Sequence, residues 1–214
     1  MTAPALLQLT GVARRYGERT VLAPLDLAVR AGECVAVMGA NGSGKSTLLR
    51  IAVGHDRPSE GTVTFAGRPV DDTDARVRAR IAVVAGSPAF YPDLTVGEHL
   101  ELVAVAHGAG RDSRARVAEA LDRTRLTGLA DRLPGSLSSG QAQQLLLASA
   151  LVRPRDLLVL DEPEQRLDPD ARDELAARLR EERAAGPAPA APAAPTAPAV
   201  SAAPGQSSPA ASSR

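Results

Sequence analysis

The sequence predicts an α/β fold in which apolar strands alternate with helices, followed by an irregular tail. Three observations predict it. The short apolar run "ECVAVMG" (33–39) leads through a glycine-rich loop into the helical text "KSTLLRIAVG" (45–54). A second apolar run, "DLLVLDE" (156–162), ends in two acids. From Pro187 onward alanine, proline and serine take over, and Arg214 is the only charge. A strand, a glycine loop and a helix, followed later by an apolar strand ending in acids, indicate an α/β nucleotide-binding core.

In chain order, "LLQLTGVARRY" (6–16) and "VLAPLDLAVRAG" (21–32) read as strands, the second ending in a turn at Ala31-Gly32. "ECVAVMG" is short and continuously apolar, as expected of a buried strand. The helix that follows its loop ends at Gly54. "GTVTFAGRPV" (61–70) reads as another strand and "ARIAVVAG" (79–86) as a buried one. "TVGEHLELVAVAHG" (95–108) has a threonine cap and helical spacing, and "SRARVAEALDRTRL" (113–126) is an amphipathic helix. "SSGQAQQLLLASALV" (138–152) is helical, "DLLVLDE" a buried strand, and "DPDARDELAARLREERAAG" (168–186) a charged helix. Repeated proline then forbids helix and ladder pairing, so 187–214 is expected to be a disordered, partly polyproline tail.

Composition narrows the function classes. At 214 residues the chain has room for one domain with a sizeable core. Lys+Arg and Asp+Glu are both 25, so no broad basic face is available for nucleic acid. Aromatic residues make up 2% and tryptophan is absent, which argues against base-stacking platforms. The single cysteine, Cys34, excludes an internal disulfide and a cysteine-based zinc site. Inside its apolar run it is expected to be buried and inert. The N-terminal text lacks the layout of a signal peptide, and no stretch reaches the roughly 18 apolar residues of a membrane span. The expectation is a chain soluble by itself and cytoplasmic.

Every basic residue but one is arginine, and the exception is Lys45. Residues 39–46 spell Gly-Ala-Asn-Gly-Ser-Gly-Lys-Ser, which fits G-x-x-x-x-G-K-[ST] at every fixed position. The glycines let the backbone wrap tightly and aim successive N–H groups inward as an anion nest. The helix starting near Lys45 adds its positive end. A compact ammonium can follow the β- and γ-phosphates from within the loop, where a wide guanidinium fork would not fit. Ser46 is placed to ligate Mg²⁺. Gly39, Asn41, Gly42, Ser43, Gly44, Lys45, Ser46 and Thr47 are therefore candidate contacts to a nucleotide. In "LLVLDE" the carboxylates of Asp161 and Glu162 emerge at the carboxyl end of a strand, where open α/β sheets bind ligands. Asp161 could hold Mg²⁺ through water, and Glu162 could polarise an attacking water.

A third motif selects among phosphate-handling families. "LSSGQAQQLLLASALV" (137–152) resembles the LSGGQ signature of ABC ATPases and its following helix, just before the acidic strand where that family keeps it. Tyr16 in "RRYG" precedes the phosphate loop as the family's adenine-stacking aromatic does. "PDLTVGEHL" (92–100) resembles the segment near which such subunits contact a membrane partner, and "RLDPDAR" (166–172) resembles the loop after the acidic strand, with Asp168 as its aspartate. The resemblance runs from about Leu6 to Arg183.

The resemblance implies a P-loop NTPase core with an N-terminal antiparallel β subdomain and an inserted helical signature subdomain at about 88–150, all within an ATP-binding domain over 1–186. It implies ATP and Mg²⁺ as cofactors, with Glu162 and Lys45 catalytic and Ser46 and Asp161 at the metal. Two such domains would sandwich two ATP molecules head to tail, so that Ser138, Gly140 and Gln141 meet the partner's nucleotide. The implied partners are a second ATP-binding subunit, in a homodimer or heterodimer, and a separate transmembrane permease. That places the chain peripherally on the cytoplasmic face of a membrane.

Departures from the family pattern keep alternatives open. Aligning "SPAFYPDLTV" (87–96) puts Gly86 where the family usually has a glutamine reaching the metal and the attacking water. Ser139 replaces the second glycine of the signature, and "QAQQ" and "LASA" stand where the family often has arginines. The family continues beyond the last helix into a buried strand ending in a switch histidine, and places that strand between the phosphate-loop strand and the acidic strand. Here the histidines are His55, His99 and His107, all upstream, and each reads as a surface or helix-packing residue. The expectation is either a natural truncation or a frame change after Gly186. Three readings follow: a transporter ATPase subunit, an ATP-binding module without effective hydrolysis, and a soluble ABC-type ATPase not tied to transport. The neutral charge and lack of a second cassette weigh against the last.

Overall fold

The computed structural model describes residues 4–71, 73–86, 89–164 and 169–185. The chain begins with two long strands, β1 (Leu7–Tyr16) and β2 (Arg19–Val29), paired antiparallel with Leu7 opposite Val29 and Tyr16 opposite Arg19. β3 (Glu60–Phe65) pairs with the other edge of β1, and the short β4 (Arg68–Pro69) closes a hairpin on β3. The antiparallel sheet therefore has the order β2-β1-β3-β4. Alternation along β1 turns Leu7 and Leu9 inward, and an irregularity in the pairing between Leu9 and Val12 keeps Val12 buried as well.

Helix α1 (Lys45–Ala52) packs Leu48, Ile51 and Ala52 against that face. Burying side chains such as Leu9, Leu22 and Ile51 stabilises the layer by roughly 2 kcal/mol each. The short helix α2 (Ala75–Arg80) leads into β5 (Ile81–Val84), which pairs in parallel with β6 (Leu157–Leu160). The two-stranded ladder runs from Ile81 opposite Leu157 to Val84 opposite Leu160. β6 carries its acids just beyond this pairing.

Among the described residues three α-helices lie between β5 and β6 in the chain: α3 (Val96–Ala106), α4 (Ser113–Arg123) and α5 (Ser139–Leu151). They share an apolar cluster built on Val96, Leu100, Ala120, Leu126 and Leu145. Thr95 caps α3 in a reciprocal box with Glu98, as its sequence predicts. The far end of α5 packs Leu147 and Leu151 with Ala82, Val84 and Leu175 of α6 (Pro169–Ala185).

Three expectations need correction. "ECVAVMG" forms no strand, and most of it is exposed: Val35 is 37% and Met38 65% accessible. An apolar run becomes a strand only where a neighbour satisfies its N–H and C=O groups, and among the described residues no ladder partner lies beside it. Cys34 is accordingly exposed, not buried. "GTVTFAGRPV" is a hairpin, not one strand, because Ala66 (φ +49°) and Gly67 (φ +76°) turn the chain between β3 and β4. The tail expected from Pro187 lies outside the described residues.

Candidate nucleotide-binding site

The glycine-rich loop packs directly against β2. Gly44 caps α1 in the left-handed region at φ +94°. A Cβ there would stand 2.7 Å from Leu22 Cδ2 and 2.8 Å from the Val21 carbonyl oxygen, so only glycine closes the loop. A Cβ on Gly39 would meet Ser43 Oγ at 2.6 Å. Gly42 also takes a positive φ, beside exposed Asn41. Ser43 is buried, and its Oγ has no hydrogen-bond partner among the described residues.

Helix α1 has no side-chain cap and no acid in its first turn. The N–H groups of Lys45, Ser46 and Thr47 thus lack intrahelical acceptors, and the helix presents its positive end to the loop. Lys45 Nζ donates to the carbonyl oxygens of Gly39 at 2.9 Å and Ala40 at 3.0 Å. The ammonium folds back over the loop, as a thin point charge can and a planar guanidinium cannot.

The acids meet this loop. The ladder of β5 and β6 ends with the Asp161 N–H donating to the Val84 carbonyl at 2.8 Å. One residue of chain past β6 therefore places the Asp161 carboxylate, and Ser46 Oγ donates to its Oδ1 at 3.1 Å. Two groups 115 positions apart in sequence converge at one point. A hydroxyl beside a carboxylate is a hard-oxygen pair of the kind Mg²⁺ takes, with phosphate oxygens and water completing its octahedron. The residues present fit that ion, and such a site needs no cluster of three His, Cys, Asp or Glu; among the described residues there is none.

Glu162 is half-buried and held at φ +48°, an unusual conformation for a side chain with a Cβ. Gln143, buried on α5, donates from Nε2 to the Pro163 carbonyl oxygen at 3.1 Å. The helix of the signature thereby grips the residue next to Glu162. The sequence signalled this only as a polar residue on an otherwise apolar helix face.

The signature itself faces outward. Ser138 is exposed and caps α5: its Oγ accepts from the Gln141 N–H at 3.3 Å, while Gln141 Oε1 accepts from the Ser138 N–H at 2.9 Å. The Gln141 side chain is thus occupied by the cap. The Ser138 hydroxyl keeps its proton for another acceptor. A Cβ built on Gly140 has no atom within 4 Å, so the space in front of the helix start is open.

Tyr16 ends β1 with half its surface exposed. Its hydroxyl donates to Asp56 Oδ2 at 2.6 Å, and Arg14 lies over its ring. That hydrogen bond is the main influence holding the Asp56 carboxyl below its ordinary range, with burial opposing. Neither Arg14 nor Asp56 stood out in the sequence. Gly86 follows β5 at φ +72°, exposed, and a Cβ built there would meet nothing within 4 Å among the described residues. His55 is exposed and His107 partly so, whereas His99 is buried between helices. Asp168 lies outside the described residues.

A glycine-rich loop closing on a helix start, with a hydroxyl of that helix meeting a strand-end carboxylate, defines a P-loop nucleotide-binding domain. A family model described as ABC transporter matches residues 22–165. Among curated relatives, a Nod factor export ATP-binding protein I from Burkholderia orbicola (strain AU 1054) is 39% identical over 177 residues, covering 82% of this chain and 58% of the relative. A protein of the same name from Cupriavidus metallidurans is 37% identical, covering 85% and 60%. Among solved structures, an ATP-binding subunit of an ABC transporter superposes with a TM-score of 0.75 at 32% identity, over 85% of this chain and 76% of that one. A dimeric ATP-binding cassette in a post-hydrolysis state, bound to ADP and Pi, gives 0.72 at 29% identity, over 83% and 82%. The chain belongs to the ABC transporter family, as a nucleotide-binding domain of its ATP-binding subunits. It spans less than two-thirds of the length of the curated relatives it matches first. Among the described residues no helix is long and apolar enough to cross a membrane.

Proposed function

We propose that this chain is the ATP-hydrolysing subunit of a membrane exporter, and that ATP draws two copies of its domain together to drive a separate permease. The single observation that carries the reading is the 3.1 Å contact between Ser46 Oγ and Asp161 Oδ1, which joins the phosphate loop to the acidic strand. The relatives named for Nod factor export support the direction of transport. The dimeric cassettes among the structural neighbours support association of two domains. The domain would occupy residues 1–186, with its helical subdomain at about 88–150, and would sit against the cytoplasmic face of the membrane through the permease.

In this reading the loop N–H groups and α1 hold the phosphates, and Lys45 exchanges the carbonyls of Gly39 and Ala40 for β- and γ-phosphate oxygens. Ser46 and Asp161 hold Mg²⁺, which when bound offsets charge on those oxygens. Glu162 orients the water that attacks the γ-phosphorus and accepts its proton, while the bond to the ADP oxygen breaks. Ser138 and the α5 start of a second copy cover the γ-phosphate with a hydroxyl and helix N–H groups. Tyr16 would stack on the base.

The test is single-turnover phosphate release from Mg-ATP by the purified full chain, beside Glu162→Gln. The reading expects release by the parent and a fall of two orders of magnitude or more in the variant, in the range typical of lost general base catalysis, about 10²–10⁴-fold. Nucleotide binding with no release by either protein would point instead to a binding module, the outcome that the bare Gly86 favours.

A further inference from the structure

The ring of Tyr16 is fixed at two points. Arg14 Cζ lies 4.4 Å from the ring centroid, and the Tyr16 hydroxyl donates to Asp56 Oδ2 at 2.6 Å. The remaining side closes when Arg14 Nη2 meets Asp56 Oδ1 at 2.8 Å. Cation, ring and acid therefore form a closed triangle. Arg14 and Tyr16 stand two residues apart at the end of β1, while Asp56 comes from beyond α1, where its N–H donates to the Arg50 carbonyl at 3.3 Å.

This triangle connects to the phosphate loop at both ends of α1. Asp56 is anchored on the last turn of that helix. Arg14 is paired with Leu22 across the β1–β2 ladder, and Leu22 is the side chain that fills the space beside Gly44 at the helix start. The distance between ring and loop is thus set by backbone pairing and one helix, not by a mobile side chain.

The geometry assigns Arg14 and Asp56 as positioning residues for the base end of the nucleotide: they hold Tyr16 with one face covered by the guanidinium and present the other to a purine ring. A tyrosine at a hairpin end, half exposed, would otherwise sample several rotamers and lose that freedom on binding. Two fixed points remove most of that loss beforehand. The guanidinium also draws ring electron density toward its own face, which suits the free face to an electron-rich base. Affinity for a nucleotide over bare polyphosphate should then depend on residues that never touch the ligand. The inference rests on the reading of Tyr16 as the base platform.

Calorimetric titration of the full chain with Mg-ATP and with Mg-tripolyphosphate separates the two. Arg14→Ala is expected to weaken Mg-ATP binding roughly two- to fivefold, the size of one exposed cation–π contact, and to leave tripolyphosphate binding unchanged. Arg14→Lys, which keeps a cation over the ring, should restore most of the loss. In steady-state hydrolysis Arg14→Ala should raise KM and leave kcat as in the parent. Equal weakening of both ligands would overturn the inference, since it marks general damage to the loop. Unchanged ATP binding in Arg14→Ala, with a loss in Tyr16→Ala, would overturn the tether and spare the platform. Unchanged ATP binding in Tyr16→Ala would overturn both. Asp56→Asn, which keeps an acceptor for the hydroxyl and breaks the ion pair, reads the same contrast if Arg14→Ala fails to fold.

Discussion

Ser46 Oγ lies 3.1 Å from Asp161 Oδ1, so the start of α1 and the end of β6 meet across 115 residues of sequence. Each side chain is short, and each stands on a rigid element: a helix start and a strand end. Ser46→Ala is expected to remove a ligand from the proposed Mg²⁺ position while leaving the loop closed. The ratio of ATP affinities with and without Mg²⁺, measured by calorimetry, should fall on the order of tenfold, the scale of one lost charge-assisted contact.

The lone lysine should not accept its commonest replacement. Lys45 Nζ reaches the Gly39 and Ala40 carbonyls as a compact point charge, a contact that a planar fork does not reproduce. Lys45→Arg keeps the charge, yet should weaken Mg-ATP nearly as much as Lys45→Ala, about ten- to a hundredfold for lost charge-assisted hydrogen bonds. Equilibrium binding of a fluorescent ATP analogue to the three proteins checks this.

Two glycines with positive φ should respond differently to alanine. At Gly86 a Cβ meets nothing, so Gly86→Ala carries only backbone strain of about 1–2 kcal/mol. At Gly44 the same strain is joined by contacts of 2.7 and 2.8 Å with Leu22 and Val21, and overpacking adds about 1–3 kcal/mol more. Urea unfolding without nucleotide should rank Gly44→Ala clearly below Gly86→Ala.

His99 should make the helical layer sensitive to mild acid. Its Nε2 lies 3.2 Å from Ser149 Oγ, whose own proton goes to the Leu145 carbonyl, so Nε2 donates and the buried Nδ1 has no partner among the described residues. Phe90 packs edge-on and Tyr91 tilted against the ring. Burial lowers the pKa of His99 below its ordinary 6.5. The folded state thus binds this proton more weakly than the unfolded state, and the stability His99 provides is present above pH 6.5 and lost as pH falls toward the folded value. The urea midpoint should drop between pH 7.5 and 5.5 in the parent, and less in His99→Gln.

Much of this arrangement is legible in the sequence, for local reasons. The Thr95–Glu98 and Ser138–Gln141 boxes are written within four residues, and the loop from Gly39 to Ser46 announces its own geometry. The meeting of Ser46 with Asp161 is legible as motif logic. What stays hidden depends on distant neighbours. Val35 and Met38 read as buried strand, but their environment is decided by a ladder partner that the apolar run cannot specify. The Arg14–Tyr16–Asp56 triangle joins residues 40 and 42 positions apart, with no periodicity to betray it. Gln143 reads as a helix former until its Nε2 is found on Pro163.

If the Lys45 loop and the two acids bind one ATP that a second copy's Ser138 then covers, association of two copies must follow the nucleotide. Sedimentation velocity of the 214-residue chain carrying Glu162→Gln, where ATP persists, tests this. Dimers should form with Mg-ATP, and monomers should remain with Mg-ADP or when Ser138→Arg is added to block the covering helix start. Saturation with Mg-ATP that leaves the protein monomeric, or a dimer indifferent to nucleotide and to Ser138→Arg, would contradict it.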